Sequence, residues 1–283
     1  MHTLTRPCAN ASTRRLALTL CALLGLTAPT LSHAQVQLLT NGNFETGTFA
    51  GFTLANQLNP SDTTNADHFY ISAPGSDTPP VNTFSFATAP NPAGGNFYAV
   101  STGDWPGAHA LLQNFTVPTI VTSLQLTFQM FVNNQSGSGP SIDPSGLDYL
   151  TGGVTDPLSG APLDNQHARV DILRFGAGDL STSAADVIAN LYLNVDPGTL
   201  DSNGNLIPNP YLTYSFDLLG VLTPGQKYRL RFAEVDNVSA LNVGVDNISL
   251  LAITPAAVPE PGSLALLLAS VTGGVFAVRR KRS

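Results

Sequence analysis

The stretch Gly103-Asp104-Trp105-Pro106-Gly107-Ala108-His109 sets the only tryptophan of a 283-residue chain between a carboxylate and an imidazole, in a turn rich in proline and glycine. An indole ring stacks well on the apolar C–H face of a sugar, while neighbouring polar groups hold its hydroxyls. Trp105, Asp104 and His109 are therefore the candidate ligand-binding residues; the alternative is that a lone tryptophan packs the core or a loop. Catalytic chemistry finds less support. His68, His109 and His167 stand at no paired metal-ligand spacing and beside no nucleophile elbow. The acids are scattered along the chain, which permits many carboxylate pairs for glycoside cleavage and singles out none. No catalytic residue is assigned, and the expectation is a protein that is not an enzyme. Asp201-Ser202-Asn203-Gly204-Asn205 alternates oxygen-bearing side chains as calcium loops do. Leu206 and Leu212, however, occupy the places where such a loop needs glycine and glutamate, so the segment reads as a turn.

The elements that must carry these residues are strands. In Ser123–Asn134, Leu124, Leu126, Phe128, Met130 and Val132 alternate with polar residues, the period-two pattern of a half-buried strand. Around Tyr228, Leu230 and Phe232 the same alternation sets Lys227, Arg229 and Arg231 on the opposite face. Further strands are expected in GNFYAVST, HALLQNFTV, ARVDILRF, VIANLYLNV, YLTYSFDLL and LNVGVDNISLLAI. No segment offers a convincing soluble helix, and short strands parted by Gly, Pro, Asn and Asp predict an all-β sandwich. Residues 133–166 break the rhythm with a Gly/Pro/Ser/Asp-rich stretch too long for an ordinary turn, either a functional surface loop or a mobile insertion. A polar hairpin is expected between Val195 and Tyr211.

Both ends differ from the middle. Arg14 and Arg15, an apolar run from Leu16 to Leu26 and the small-residue site Ser32-His33-Ala34 have the order of a secretory signal peptide, predicting a leader at 1–34 and a mature chain from about Gln35. At the other end an uncharged apolar segment, 262–278, runs into Arg279, Arg280, Lys281 and Arg282. Its seventeen residues would make roughly 25 Å of helix, a marginal transmembrane span, with the basic cluster on the cytoplasmic side. Of the 12 basic residues, seven lie in these ends, leaving five against 18 acids between them. Such an anionic body disfavours nucleic-acid binding, which needs a basic patch. Both cysteines, Cys8 and Cys21, also fall in the leader, so the mature domain must be stable without disulfides or thiolate metal sites.

Val258-Pro259-Glu260-Pro261, the apolar segment and the terminal basic cluster together resemble the PEP-CTERM sorting signal of Gram-negative bacteria, also called the ice-binding protein C-terminal domain. The resemblance covers about the last 26 residues. It implies an exosortase substrate, held in the inner membrane by its C-terminal helix until the tail is removed at Pro259, Glu260 and Pro261, then released to the cell surface or outside. The prolines keep that motif extended and unable to start a helix.

LLTNGNFETGTFAGF resembles the opening strand of galactose-binding-like jelly rolls, including several carbohydrate-binding modules, and GVDNISLLAI is similar to their closing strand. The resemblance implies a jelly-roll body over 35–256, followed by the sorting signal at 257–283, with first and last strands adjacent. It also implies a structural calcium held by Glu45 and Asp246 with carbonyls near Asn43 and Gly47; the alternative is that Asp246 only shapes a strand end. The function expected is an exported protein that binds or organises extracellular polysaccharide. The alternatives are a purely structural surface or biofilm-matrix protein and a secreted hydrolase.

Overall fold

The computed structural model describes residues 33–61, 68–72, 95–101, 106–134, 141–142, 146–195, 199–200, 202, 206–207 and 209–255. Asp104, Trp105, the Pro259-Glu260-Pro261 motif, segment 262–278 and nearly all of the leader lie outside them. Among the described residues there is no α-helix, and no helix is long and apolar enough to cross a membrane.

In chain order the strands are β1 (His33–Gln37), β2 (Thr53–Gln57), β3 (Phe69–Ser72), β4 (Tyr98–Ser101), β5 (Gly107–Thr116), β6 (Ser123–Asn134), β7 (His167–Arg174), β8 (Val187–Asn194), β9 (Thr199–Leu200), β10 (Leu206–Ile207), β11 (Leu212–Asp217), β12 (Lys227–Asp236) and β13 (Leu241–Pro255). They pair antiparallel into two main sheets. The first runs β11-β6-β13-β4-β3, with β1 also on β13; the second runs β2-β5-β12-β7-β8. The pair β9 and β10 makes the small hairpin expected between Val195 and Tyr211. Each strand expected from alternation is present; the strand that pairs with this edge of β13 is β1, which ends before the LLTNGNFETGTFAGF motif begins.

Period-two geometry decides what fills the space between the sheets. Leu126, Phe128 and Met130 of β6 meet Leu111 and Phe115 of β5 and Tyr228, Leu230 and Phe232 of β12, all buried. Fully burying each such side chain contributes about 1.5–3 kcal/mol, so this layer is the main source of cohesion. Phe128 anchors it, stacked 5.1 Å from Tyr214 and edge-on at 5.0 Å to Phe232. On β13 the inward residues are Leu241, Val243 and Val245, then Ile248, Leu250 and Ala252. The change of parity is a bulge between Asp246 and Ser249, where Asn247 takes φ +50°.

Two expectations are corrected. The motif Asn41-Gly42-Asn43-Phe44-Glu45 is not a strand: β1 ends at Gln37, and left-handed backbone at Asn41, Phe44, Gly47 and Gly51 coils the segment into a loop. Nor is the stretch 133–166 simply a surface loop or insertion, because part of it covers the outer face of the second sheet. The described part of 133–166 packs on it, burying Leu147 and Tyr149 against Ala108, Ala110, Leu112, Ala233 and Val235. Residues 133 and 134 belong to β6. This cover is tied down by amides: Gln57 Nε2 donates to Asp148 Oδ1 at 2.6 Å, Asn237 Nδ2 to the Leu163 and Tyr149 carbonyls, and Gln166 Nε2 to the Ser239 carbonyl. Burial opposes ionisation of Asp148, but hydrogen bonds from Gln57 and the Gly152 and Leu150 N–H groups outweigh it and hold the carboxyl below its usual range.

Candidate functional site

The opening loop and the closing strand meet at the β13 bulge. Ile248 N–H donates to the Gly42 carbonyl at 2.8 Å, and a Cβ on Gly42 would lie 2.0 Å from the Ile248 oxygen. Only glycine permits that approach. Beside this seam, Glu45 accepts from the N–H groups of Asn96 and Phe97 at 2.6 and 3.1 Å and from Asn96 Nδ2 at 3.2 Å. Those bonds, the backbone ones first, hold its carboxyl below the usual range. Gly95 takes φ +95° so that this loop can wrap the carboxylate.

Asp246 is fully buried at the bulge and accepts from its neighbour Asn247 N–H at 2.6 Å. Burial pushes its carboxyl up to about 7; the Asn247 bond opposes this, and the nearby Glu45 charge adds to it. The structure thus brings the two carboxylates predicted for calcium into one electrostatic neighbourhood. Residues Gln37, Leu39, Asn41, Asn43, Asn247 and Ser249 line an adjoining cleft of ≈ 460 Å³. Glu45 and Asp246 do not themselves line that cleft, and two carboxylates would supply a minority of the six to eight oxygens that calcium takes.

The covered face of the second sheet hides a second charged group. Arg169 grips Asp171 through Nε and Nη2 at 2.7 and 2.8 Å, and Arg231 adds Nε and Nη2 bonds to Asp171 Oδ2 at 3.1 and 2.6 Å. Asn190 Nδ2 donates to Asp171 Oδ1 at 2.8 Å. Burial opposes the charge on Asp171, yet these donors hold its carboxyl below the usual range. Arg231 Nη1 also donates to the carbonyls of Asp179 and Ser181, each at 2.8 Å, which clamps the β7–β8 connection over the sheet. Alternation in the sequence places Arg169 and Asp171 on one face as i and i+2 neighbours; their pairing with Arg231 depends on the β7–β12 register.

His167 lies at the start of the same strand and is fully buried. Burial first, then the Arg169 charge, lower its imidazole to about 4; the Ser141 backbone and Asp171 oppose this and Arg231 assists it.

His109, expected beside Trp105 on an exposed turn, is placed inside instead. It is fully buried and on the inward face of β5, with Nδ1 3.1 Å from Asn56 Oδ1 of β2. Glu234, its register partner on β12, and Asp236 lie beside it, both buried. Sequence reading missed these two acids, since nothing short of strand register brings positions 109 and 234 together.

No protein-family model and no curated relative matches the chain. Solved structures with a similar course of chain include the enzymatically active domain of tailspike protein 4 of bacteriophage CBA120 (12% identity, TM-score 0.40), a match covering 77% of this chain and 21% of that one. They also include the carbohydrate-binding module TmCBM61 in complex with β-1,4-galactotriose (8% identity, TM-score 0.39, 78% and 99% covered). A third is the K1 cleaved adhesin domain of Lys-gingipain from Porphyromonas gingivalis W83 (12% identity, TM-score 0.38, 80% and 99% covered). This chain therefore spans about a fifth of the tailspike chain and nearly the whole of each of the two others. The two-sheet architecture itself rests on the strand pairing described above.

Proposed function

We propose that this chain is an exported surface or matrix β-sandwich, sorted through a PEP-CTERM signal by an exosortase, that binds or organises extracellular polysaccharide without catalysis. The observation that carries the reading is the meeting of Asn41–Glu45 with Val245–Ser249 at one bulge. These are the two words on which the resemblance to galactose-binding-like modules was founded, and they lie about 200 residues apart in sequence. On this reading Glu45 and Asp246 hold a structural calcium that pins the opening loop to the closing strand. Asp104 and Trp105 are the side chains offered to sugar, while His109 has an interior role.

A second reading, a purely structural matrix protein, is favoured by one feature: the outer face of β5, β12 and β7 is already covered by the chain's own segments. Co-sedimentation with the producing organism's exopolysaccharide separates the two. Retention of the mature protein, weakened tenfold or more by Trp105→Ala, supports binding through that turn; absence of retention at millimolar sugar equivalents supports the structural role.

A further inference from the structure

We propose that His109, Glu234 and Asp236 bind one divalent transition-metal ion of the zinc type, clipping β5 to β12 inside the sandwich. One imidazole nitrogen and two carboxylate oxygens, one atom from each residue, lie within 4.8 Å of one another. On a tetrahedral ion with bonds of about 2.0–2.2 Å, ligand atoms sit roughly 3.3–3.6 Å apart, so small side-chain rotations close the shell. Three protein ligands plus a fourth oxygen is a familiar complement for zinc, whereas calcium calls for six to eight oxygens and disfavours an imidazole.

Two features outside the triad point the same way. Asn56 Oδ1 stands 3.1 Å from His109 Nδ1; an N–H at Nδ1 donated to that amide oxygen leaves the lone pair on Nε2, the outer-shell arrangement that fixes the tautomer of metal-binding histidines. Gly107 faces Asp236 across the β5–β12 ladder, and a Cβ there would lie 2.6 Å from Nε2.

The guanidinium groups of the same sheet, Arg169 and Arg231, bind Asp171 on its other face, so the triad and the arginine cluster are separate groups. The triad lies where β5 begins and β12 ends, the central pair of the second sheet. A clip there would serve a mature domain that has no disulfide.

The test uses the mature protein in a Glu45→Gln background, so that calcium at the β13 bulge is not counted. After exposure to zinc chloride and dialysis, elemental analysis should find one zinc per chain, and its removal by chelator should lower the melting temperature. Cobalt(II) in place of zinc should give the visible d–d bands of a tetrahedral N/O site. Asn56→Ala, which leaves all three ligands in place, should weaken zinc affinity 10–100-fold, and Glu234→Gln should abolish stoichiometric binding. Zero zinc per chain with an unchanged melt, or equal affinity in wild type and Glu234→Gln, overturns the proposal and leaves the triad as a hydrogen-bonded network.

Discussion

Replacing Asp171 by asparagine keeps the volume of the side chain and removes its charge from beneath two guanidinium groups. Arg231 is fully buried and Arg169 nearly so, and Asp171 is the carboxylate both of them grip. Asparagine offers one acceptor oxygen where five hydrogen bonds now converge. Removing one partner of a buried ion pair costs about 3–5 kcal/mol, because the remaining charge stays desolvated. For a domain of this size each kcal/mol shifts the melting temperature by roughly 2–4 °C, so Asp171→Asn should melt about 6–20 °C lower in a calorimetric or circular-dichroism scan. The triple variant Arg169→Met, Asp171→Leu, Arg231→Met should recover much of that loss, since well-packed apolar replacements of buried ion networks are often neutral. A melt of Asp171→Asn within about 2 °C of wild type would refute the reasoning.

Buried His167 should make an acid-sensitive contribution to stability in a defined window. Its unfolded imidazole takes up a proton near 6.5 and the folded one near 4, so between those pH values this group binds more protons in the unfolded state and its share of the stability is lost as pH falls. That share is about 3 kcal/mol; because Asp246, pushed up to about 7, contributes with the opposite sign over the same range, it is read as the difference between the urea midpoints of wild type and His167→Gln from pH 7 to 4. In protein stripped of zinc and then loaded with calcium, chelation should lower the melting temperature of wild type and leave Glu45→Gln unmoved; identical melts with and without chelator would count against calcium at Glu45 and Asp246. At Gly244 a Cβ would sit 1.9 Å from the Phe131 ring, so Gly244→Ala should cost about 1–3 kcal/mol through overpacking, measured by denaturant unfolding.

Strands whose inward residues alternate with polar ones were legible because period two is imposed by the pleat itself, as in Leu124–Val132. β1, β2 and β3 were missed: HAQVQ, TLANQ and FYIS are short and carry little alternation, so long-range pairing rather than local pattern makes them strands. The same limit hid the cover. Lys227, Arg229 and Arg231 alternate as one charged face, and contacts 50 to 60 residues away cover two of them: Ala177 and Asp179 hold Arg229, and Asp171, Asp179 and Ser181 hold Arg231. Glu45 and Asp246 were singled out through their motif words, and the loop and the strand that carry those words do meet at the bulge. His109 was misplaced because a glycine- and proline-flanked turn signals exposure, whereas strand β5 begins at Gly107 and turns position 109 inward.

Intact-mass analysis of the protein recovered from the producing organism's surface fraction tests the export reading most directly. The expected species begins near Gln35 and lacks the residues after Pro261. Recovery of the full 283-residue chain, free in the cytoplasm with both ends intact, would contradict it.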